Sequence, residues 1–239
     1  MIDRTEIAPG IHRISFWDEP DWAAISFPGA SYNLYLIAAE KPAIIQTLFR
    51  RTFPRISAAV AEVVDPARLE YVVVPHHEGD SSGAVNEWLS AAPRATALCS
   101  KLCAVLSLAD FAEREPRIVG DGEVVDLGSH RLRFLETPQV NQWDSLMVYE
   151  ETTRTLFPND LFSTMGIDIA TDRAIGAEAL EVARHLGYQP DDRASLERAL
   201  DRIAALDLAV VALMHGPTLT GHFPELFRAF RDNSLAHSA

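Results

Sequence analysis

The chain has 239 residues, is 48% hydrophobic and carries a formal net charge of −13. That length suits one large α/β domain or two small ones; because no Pro/Gly/Ser-rich linker or run of like charge divides it, residues 1–239 read as a single domain with a sizeable core. The acidic balance disfavours nucleic acid and anionic membrane surfaces as partners. The N-terminus lacks a basic stretch followed by an apolar one, and no apolar run reaches bilayer-spanning length, so no membrane association and a cytoplasmic location are expected.

Short strands dominate the first third: Ile11 to Phe16, Tyr32 to Ile37 and Ala43 to Thr47, separated by turn residues Pro28-Gly-Ala and Glu40-Lys-Pro. The period then changes to helical, with Ile56, Ala59, Val60, Val63 and Val64 on one face before Asp65-Pro66 stops the helix and a strand, Tyr71 to Val74, follows. A short helix from Gly83, a strand from Ala95 to Cys99 and a helix from Lys101 to Ala112 come next. Arg117-Ile-Val, Glu123 to Leu127, Arg131 to Leu135, Ser145 to Tyr149 and Thr155 to Phe157 then read as a meander. The remainder holds two helices, Ala177 to Leu186 and Ala194 to Ala205, a strand, Leu208 to Met214, and a terminal helix from about Pro224. Two sheets sandwiched between helices close such a chain. Cys99 and Cys103, four apart, read as helix packing rather than as a disulfide or metal site.

Five residues with metal-ligand chemistry each lie just after a strand: His76, Glu78 and Asp80 in PHHEGD, Asp160 in LFPND, and His215 in LMHGP. Strand ends bring distant residues into one cleft, and two imidazoles with three carboxylates point to a binuclear metal centre. His76, Glu78 and Asp80 alternate, so an extended loop would place them on one side. Of the neighbours, His77 is a candidate donor beside the centre, Tyr32 and Trp143 are candidate pocket walls, and His222 is the one remote histidine near the Gly216-Pro loop. Ser81 lacks the histidine and aspartate partners of a nucleophile, and no catalytic residue is assigned.

The order H-x-E-x-D, a P-x-x-ligand loop, N-D and H-G-P resembles the metallo-β-lactamase-fold domain of flavodiiron proteins, over roughly residues 8 to 230. Ser31-Tyr-Asn-Leu-Tyr-Leu-Ile with Glu40-Lys-Pro-Ala-Ile-Ile resembles the family's opening hairpin. The resemblance implies a four-layer αββα sandwich. It also implies that His76, Glu78 and Asp160 hold one ion, that Asp80, Asp160 and His215 hold the other, and that Asp160 bridges the two. Where hydrolytic zinc enzymes of this fold carry a second histidine, Glu78 supplies a hard anionic oxygen, which favours iron. Two iron ions, oxygen- or hydroxide-bridged, are therefore expected, with zinc or manganese as alternatives.

The chain departs from the family at two positions that usually hold histidine: Ser81 follows the H-x-E-x-D aspartate, and Asn141 is the P-x-x residue. Both are weak donors to a divalent transition metal, so the centre is expected to be under-coordinated. Flavodiiron proteins reduce dioxygen or nitric oxide with electrons from a flavin on a following flavodoxin-like domain. No such domain, and hence no FMN, is expected here, and the chain resembles standalone oxygen-binding diiron relatives, some of which also carry asparagine at the Asn141 position. The expected partners are dioxygen or another small diatomic ligand, a redox or signalling protein, and a second copy of the chain in a homodimer. Two readings stay open beside it: a metal-dependent hydrolase using a zinc-activated hydroxide, and a binding module whose metal site has decayed.

Overall fold

The protein is described from a computed structural model over residues 2–18, 29–140, 142–163, 192–221, 223–224, 227–228 and 230–231. Among these, the first sheet runs β1 (Ile2–Ala8), β2 (Ile11–Asp18), β3 (Ala30–Ile37), β4 (Ala43–Ile45), β5 (Tyr71–Val73), β6 (Thr96–Cys99) and β7 (Arg117–Ile118), in that spatial order. Pairing is antiparallel through β4 and parallel from β4 to β7. The second sheet has the order β13 (Thr218–Thr220), β12 (Val210–Ala212), β11 (Thr155–Phe157), β10 (Leu146–Glu150), β9 (Arg131–Glu136), β8 (Val124–Asp126), with β11 and β12 parallel.

Strand alternation explains the layering, because successive side chains face opposite sides of a sheet. In β3 and β4, Tyr35, Ile37, Ala43 and Ile45 meet Leu132, Phe134, Leu146 and Val148 of the second sheet, forming the core between the sheets. The intervening residues Leu34, Leu36 and Ile44 face outward into a second core shared with the helices α1 (Phe53–Ala61) and α3 (Val85–Ala91). On the far side, Met147 and Tyr149 of β10 pack against Leu196, Ala199, Leu200 and Ile203 of α6 (Arg193–Ala204). Helix, sheet, sheet and helix thus form four layers. α1 shows why its segment folds: Pro54 sits in its first turn, and Ile56, Ala59 and Val60 fall on one buried face, Ile56 and Val60 each adding roughly 1.5–3 kcal/mol.

Several local expectations are corrected. Arg117-Ile118 does not open the meander; it pairs in parallel with β6 on the edge of the first sheet, and the chain changes sheets before β8. A two-residue strand carries no alternation from which its partner could be read. The helix from Lys101 is interrupted: α4 (Lys101–Cys103) passes through a π-helical turn, Ala104–Leu108, into α5 (Ala109–Phe111). Cys99 closes β6 and only Cys103 is helical, both buried. The edge strands β1 and β13 were not expected; β1 is half-exposed and carries Asp3, Arg4 and Glu6, the charged dressing of an edge. The expected helix Ala177 to Leu186 lies outside the described residues. Of the terminal helix, Phe223, Phe227 and Phe230 are buried in the core against α6. Among the described residues no helix is long and apolar enough to cross a membrane.

Candidate metal centre

Both sheets deliver residues to one place. Val74 and Pro75 carry the chain out of β5 to His76, and the Pro75 carbonyl accepts from Leu146 N at the start of β10 (3.0 Å), joining the sheets at this point. Asp160 follows β11 after Asn159, whose left-handed backbone (φ 59°) reverses the chain at once; His215 follows β12. Glu78 and Asp80 do not sit on an extended loop as the alternation implied. Glu78 is the extended N-cap of a short helix, α2 (Gly79–Ser82), and Asp80 lies in its first turn. The turn still gathers ligand atoms of His76, Glu78 and Asp80 within 4.8 Å of one another.

The five side chains fall into two groups that share one member. His76 Nε2 lies 3.5 Å from Glu78 Oε2 and 3.4 Å from Asp160 Oδ2. His215 Nε2 lies 3.3 Å from Asp80 Oδ2 and 3.5 Å from Asp160 Oδ1. Asp160 therefore turns one oxygen to each histidine. His215 Nδ1 is 3.0 Å from the Ser31 carbonyl, a contact that fixes an N–H at Nδ1 and leaves Nε2 as the nitrogen that faces the acids. Asn33 steadies that loop by donating to the carbonyls of Leu213 (2.8 Å) and Gly216 (2.9 Å), and Tyr32 packs edge-on against the His215 ring.

Burial and charge oppose each other here. Burial pushes His76 down, but Asp160, Glu78 and Asp80 outweigh it and raise the imidazole from 6.5 to about 9. His215 is likewise raised against its burial, by Asp80 and Asp160. Burial raises Asp160 from 3.8 to about 6, with the two histidines pulling the other way. Glu78 is lowered chiefly by His76, while Asp80 is lowered by His215 in spite of burial. His76 is fully buried, yet neither ring nitrogen makes a directed hydrogen bond, and the buried Asp80 Oδ1 has none either. Buried polar atoms left this way in a converging set of imidazoles and carboxylates are what divalent cations satisfy, and the residues fit a pair of them.

The flanking candidates divide. Ser81 is fully buried and donates to Gln46 Oε1 (2.5 Å), so its hydroxyl is engaged away from the five. His77 Nδ1 is 3.0 Å from buried Asp144 Oδ1, with Trp143 edge-on to its ring and half-exposed. Asn141 and His222 lie outside the described residues. Gln142, not singled out from the sequence, donates from its side-chain amide to Glu78 Oε1. Only its place beside Asn141 in the loop hinted at it, and nothing in the sequence marked Asp144 or Gln46.

A profile of the family described as ODP family beta lactamase matches residues 30–216. The chain belongs to this family. Among its relatives, diflavin flavoprotein A 1 of Synechocystis sp. is 30% identical over 220 residues, 88% of this chain and 38% of the relative. The nitric oxide reductase of Moorella thermoacetica is 31% identical over 199 residues, 79% of this chain and 49% of the relative. The chain thus spans at most about half the length of these relatives. A metal-soaked flavodiiron core from Synechocystis sp. shares the fold, with a TM-score of 0.85 and 24% identity over 100% of this chain and 62% of that one. The four layers are those of the flavodiiron metallo-β-lactamase fold, as the resemblance of the ligand motifs implied.

Proposed function

We propose that this ODP-family domain is a non-haem diiron protein that binds dioxygen or nitric oxide, acting as a sensor or, with an external electron donor, as a slow reductase. The observation that carries the reading is the pair of histidine–carboxylate groups sharing Asp160. Three carboxylates in the set favour iron over the zinc of histidine-rich hydrolytic sites. The nitric oxide reductase relative supports a diatomic substrate. Iron, when bound, supplies electrons and vacant coordination positions for a small ligand.

The chain's own residues do the rest. Asp160 offers one oxygen to each position and offsets the repulsion between two cations. Ser31 holds His215 in one tautomer and one direction. Phe16 and Phe49 pack around Tyr32, whose ring lies edge-on against the buried His215. Burial and then the Asp80 charge push the Tyr32 phenol up to about 12, so it stays protonated at neutral pH and retains its donor. In this reading His77, half-buried with its Nδ1 against Asp144, is a group beside the pocket rather than a ligand. A redox or signalling protein and a second copy of the chain are its further partners, and its setting is cytoplasmic.

Anaerobic purification followed by elemental analysis and exposure to dioxygen tests this. Two irons per chain and a new ultraviolet–visible band on oxygenation are expected. Tightly held zinc with hydrolysis of an ester, thioester or phosphodiester overturns the proposal in favour of a hydrolase, and a chain that takes up no metal overturns it in favour of a decayed site.

A further inference from the structure

We propose that Gln142 is a positioning residue for one of the two metal sites: its side-chain amide occupies one oxygen of Glu78, so that Glu78 meets the ion through the other oxygen alone. The inference rests on the diiron reading above and adds a residue that the family's ligand motif does not contain.

Glu78 is the least constrained of the five. Its side chain is 33% exposed, whereas those of His76 and Asp160 are 0% and 2% exposed. It stands at the N-cap of α2, where an acid ordinarily accepts from the helix's own N–H groups, yet it makes no such capping bond. Its carboxylate is instead divided: Oε1 accepts from Gln142 Nε2, and Oε2 faces His76 at 3.5 Å. An ionised carboxylate only accepts, so the amide must present its nitrogen, and this orientation has a single solution.

Gln142 is not a wandering surface side chain. Its backbone carbonyl accepts from Gln139 N (3.0 Å) and Ser145 N (3.2 Å), closing a tight turn in which Gln139 adopts φ 68°. Val140 anchors one side of the turn in the core beneath the second sheet, and its N–H donates to Thr137 O (3.1 Å). On the other side, buried Asp144 accepts on its carbonyl from Ser100 Oγ (2.9 Å), and Ser145 Oγ accepts from Asn159 Nδ2 (3.1 Å), the residue before Asp160. The loop is therefore bolted to both sheets, and it aims Gln142 at Glu78. With Oε1 turned to Gln142, Oε2 is the oxygen presented toward His76, which favours one-oxygen binding of an ion over chelation and would keep a coordination position open. Groups that orient ligands in this way typically change metal affinity by about 10–100-fold when removed.

The test is titration of cobalt(II) into the metal-free full chain, followed by visible absorption, whose band intensity reports coordination number and separates two binding steps. His76→Ala identifies the step belonging to the Glu78 site by abolishing it. Gln142→Leu, which keeps the bulk but removes the donor, is expected to weaken that step about tenfold, to dim its band as Glu78 chelates and coordination rises, and to leave the other step within about twofold. Gln142→Glu, which sets a second acid against Glu78, should perturb the same step without touching the other. Wild-type constants and band shapes in both variants would overturn the proposal while leaving the diiron reading standing. Equal weakening of both steps with a lowered melting temperature would overturn it as well, since that is the mark of a merely structural residue. A wild-type chain that takes up no cobalt at all removes the diiron reading and the proposal with it.

Discussion

Strand β10, ~13 Å long at the usual rise per residue, has a histidine–carboxylate cluster at or beyond each end, and the two are built on opposite principles. At the far end, Glu150 is fully buried and fully served: Oε1 accepts from Arg131 N (3.2 Å) and Thr152 N (2.8 Å), Oε2 accepts from Thr153 N (2.7 Å) and Thr153 Oγ1 (2.5 Å), and His130 Nδ1 lies at 3.3 Å. Although burial opposes it, His130 and the Thr152–Thr153 donors hold its carboxyl down at about 2. At the near end, Asp160 shares its surroundings with Asp80 and Glu78, and burial lifts it to about 6. The same two residue types thus make a scaffold where backbone donors surround the acid, and a cation site where acids surround one another.

The sharpest way to break this comparison is Asp160→Asn. Both histidine groups lose their shared anion, so bound metal should fall from two per chain to less than one, with roughly a hundredfold or greater loss at each position, read by elemental analysis and titration. His76→Ala should remove mainly one. The sign for stability is the reverse of the usual one. An acid whose folded pKa is raised destabilises the fold above that pKa and costs nothing below its unfolded value, so the strain is present above about pH 6 and relieved toward pH 3.8. Because the same substitution also removes the attraction of Asp160 to His76 and His215, the clean readout is the pH profile: metal-free Asp160→Asn should lack the wild type's fall in stability between about pH 3.8 and 6, and a variant that keeps it would show that Asp160 is not the group titrating there.

Glu150→Gln is the counterpart. One amide end donates where two N–H groups need acceptors, and the fold should lose on the order of 2–3 kcal/mol while metal content stays unchanged. Here the folded pKa is depressed, so the stabilisation is complete above about pH 4.5 and drains away as pH falls toward about 2. Chemical denaturation across that window should show a wild-type loss that the Gln variant lacks. Any loss of metal in the variant would mean that the two ends of β10 are coupled.

The difference between the clusters also marks what the sequence made legible. His76, Glu78, Asp80, Asp160 and His215 were readable because strand ends followed by histidines and acids are a local pattern, and the αββα layering was readable because β3, β5, β9 and β10 alternate cleanly. The Glu150 cluster was not, since an acid closing a strand looks the same whether or not the following Thr-Thr turn folds back to serve it. Gln46, Gln142 and Asp144 were hidden for a related reason: each acts through a partner 35 to 67 residues away, which spacing does not encode. Arg117-Ile118 was misplaced because pairing, not propensity, decides which sheet takes a strand that short.

Asn141→His sharpens the near end by restoring a donor where the family usually has one. Iron affinity should rise by about tenfold, with a changed rate of oxidation of the ferrous protein by dioxygen. An unaltered titration and rate would place residue 141 away from the ions and leave Gln142 as the loop's single contribution.

The smallest effect is expected at Ser81, the other position where the family usually has histidine. Its hydroxyl donates to Gln46 Oε1 and its carbonyl accepts from Thr47 N (3.1 Å), so it stitches α2 to the segment after β4, where Gln46 is held at φ 74°. Ser81→Ala removes one buried hydrogen bond and leaves the Gln46 oxygen without that donor, which should cost about 1–2 kcal/mol of stability. Metal stoichiometry and affinity should not move, because the hydroxyl is turned to Gln46 and none of the five candidate ligands depends on it. A tenfold loss of metal with little change in melting temperature would reverse the assignment, making Ser81 a member of the cation site and erasing the line between the acids that bind and the polar groups that brace them.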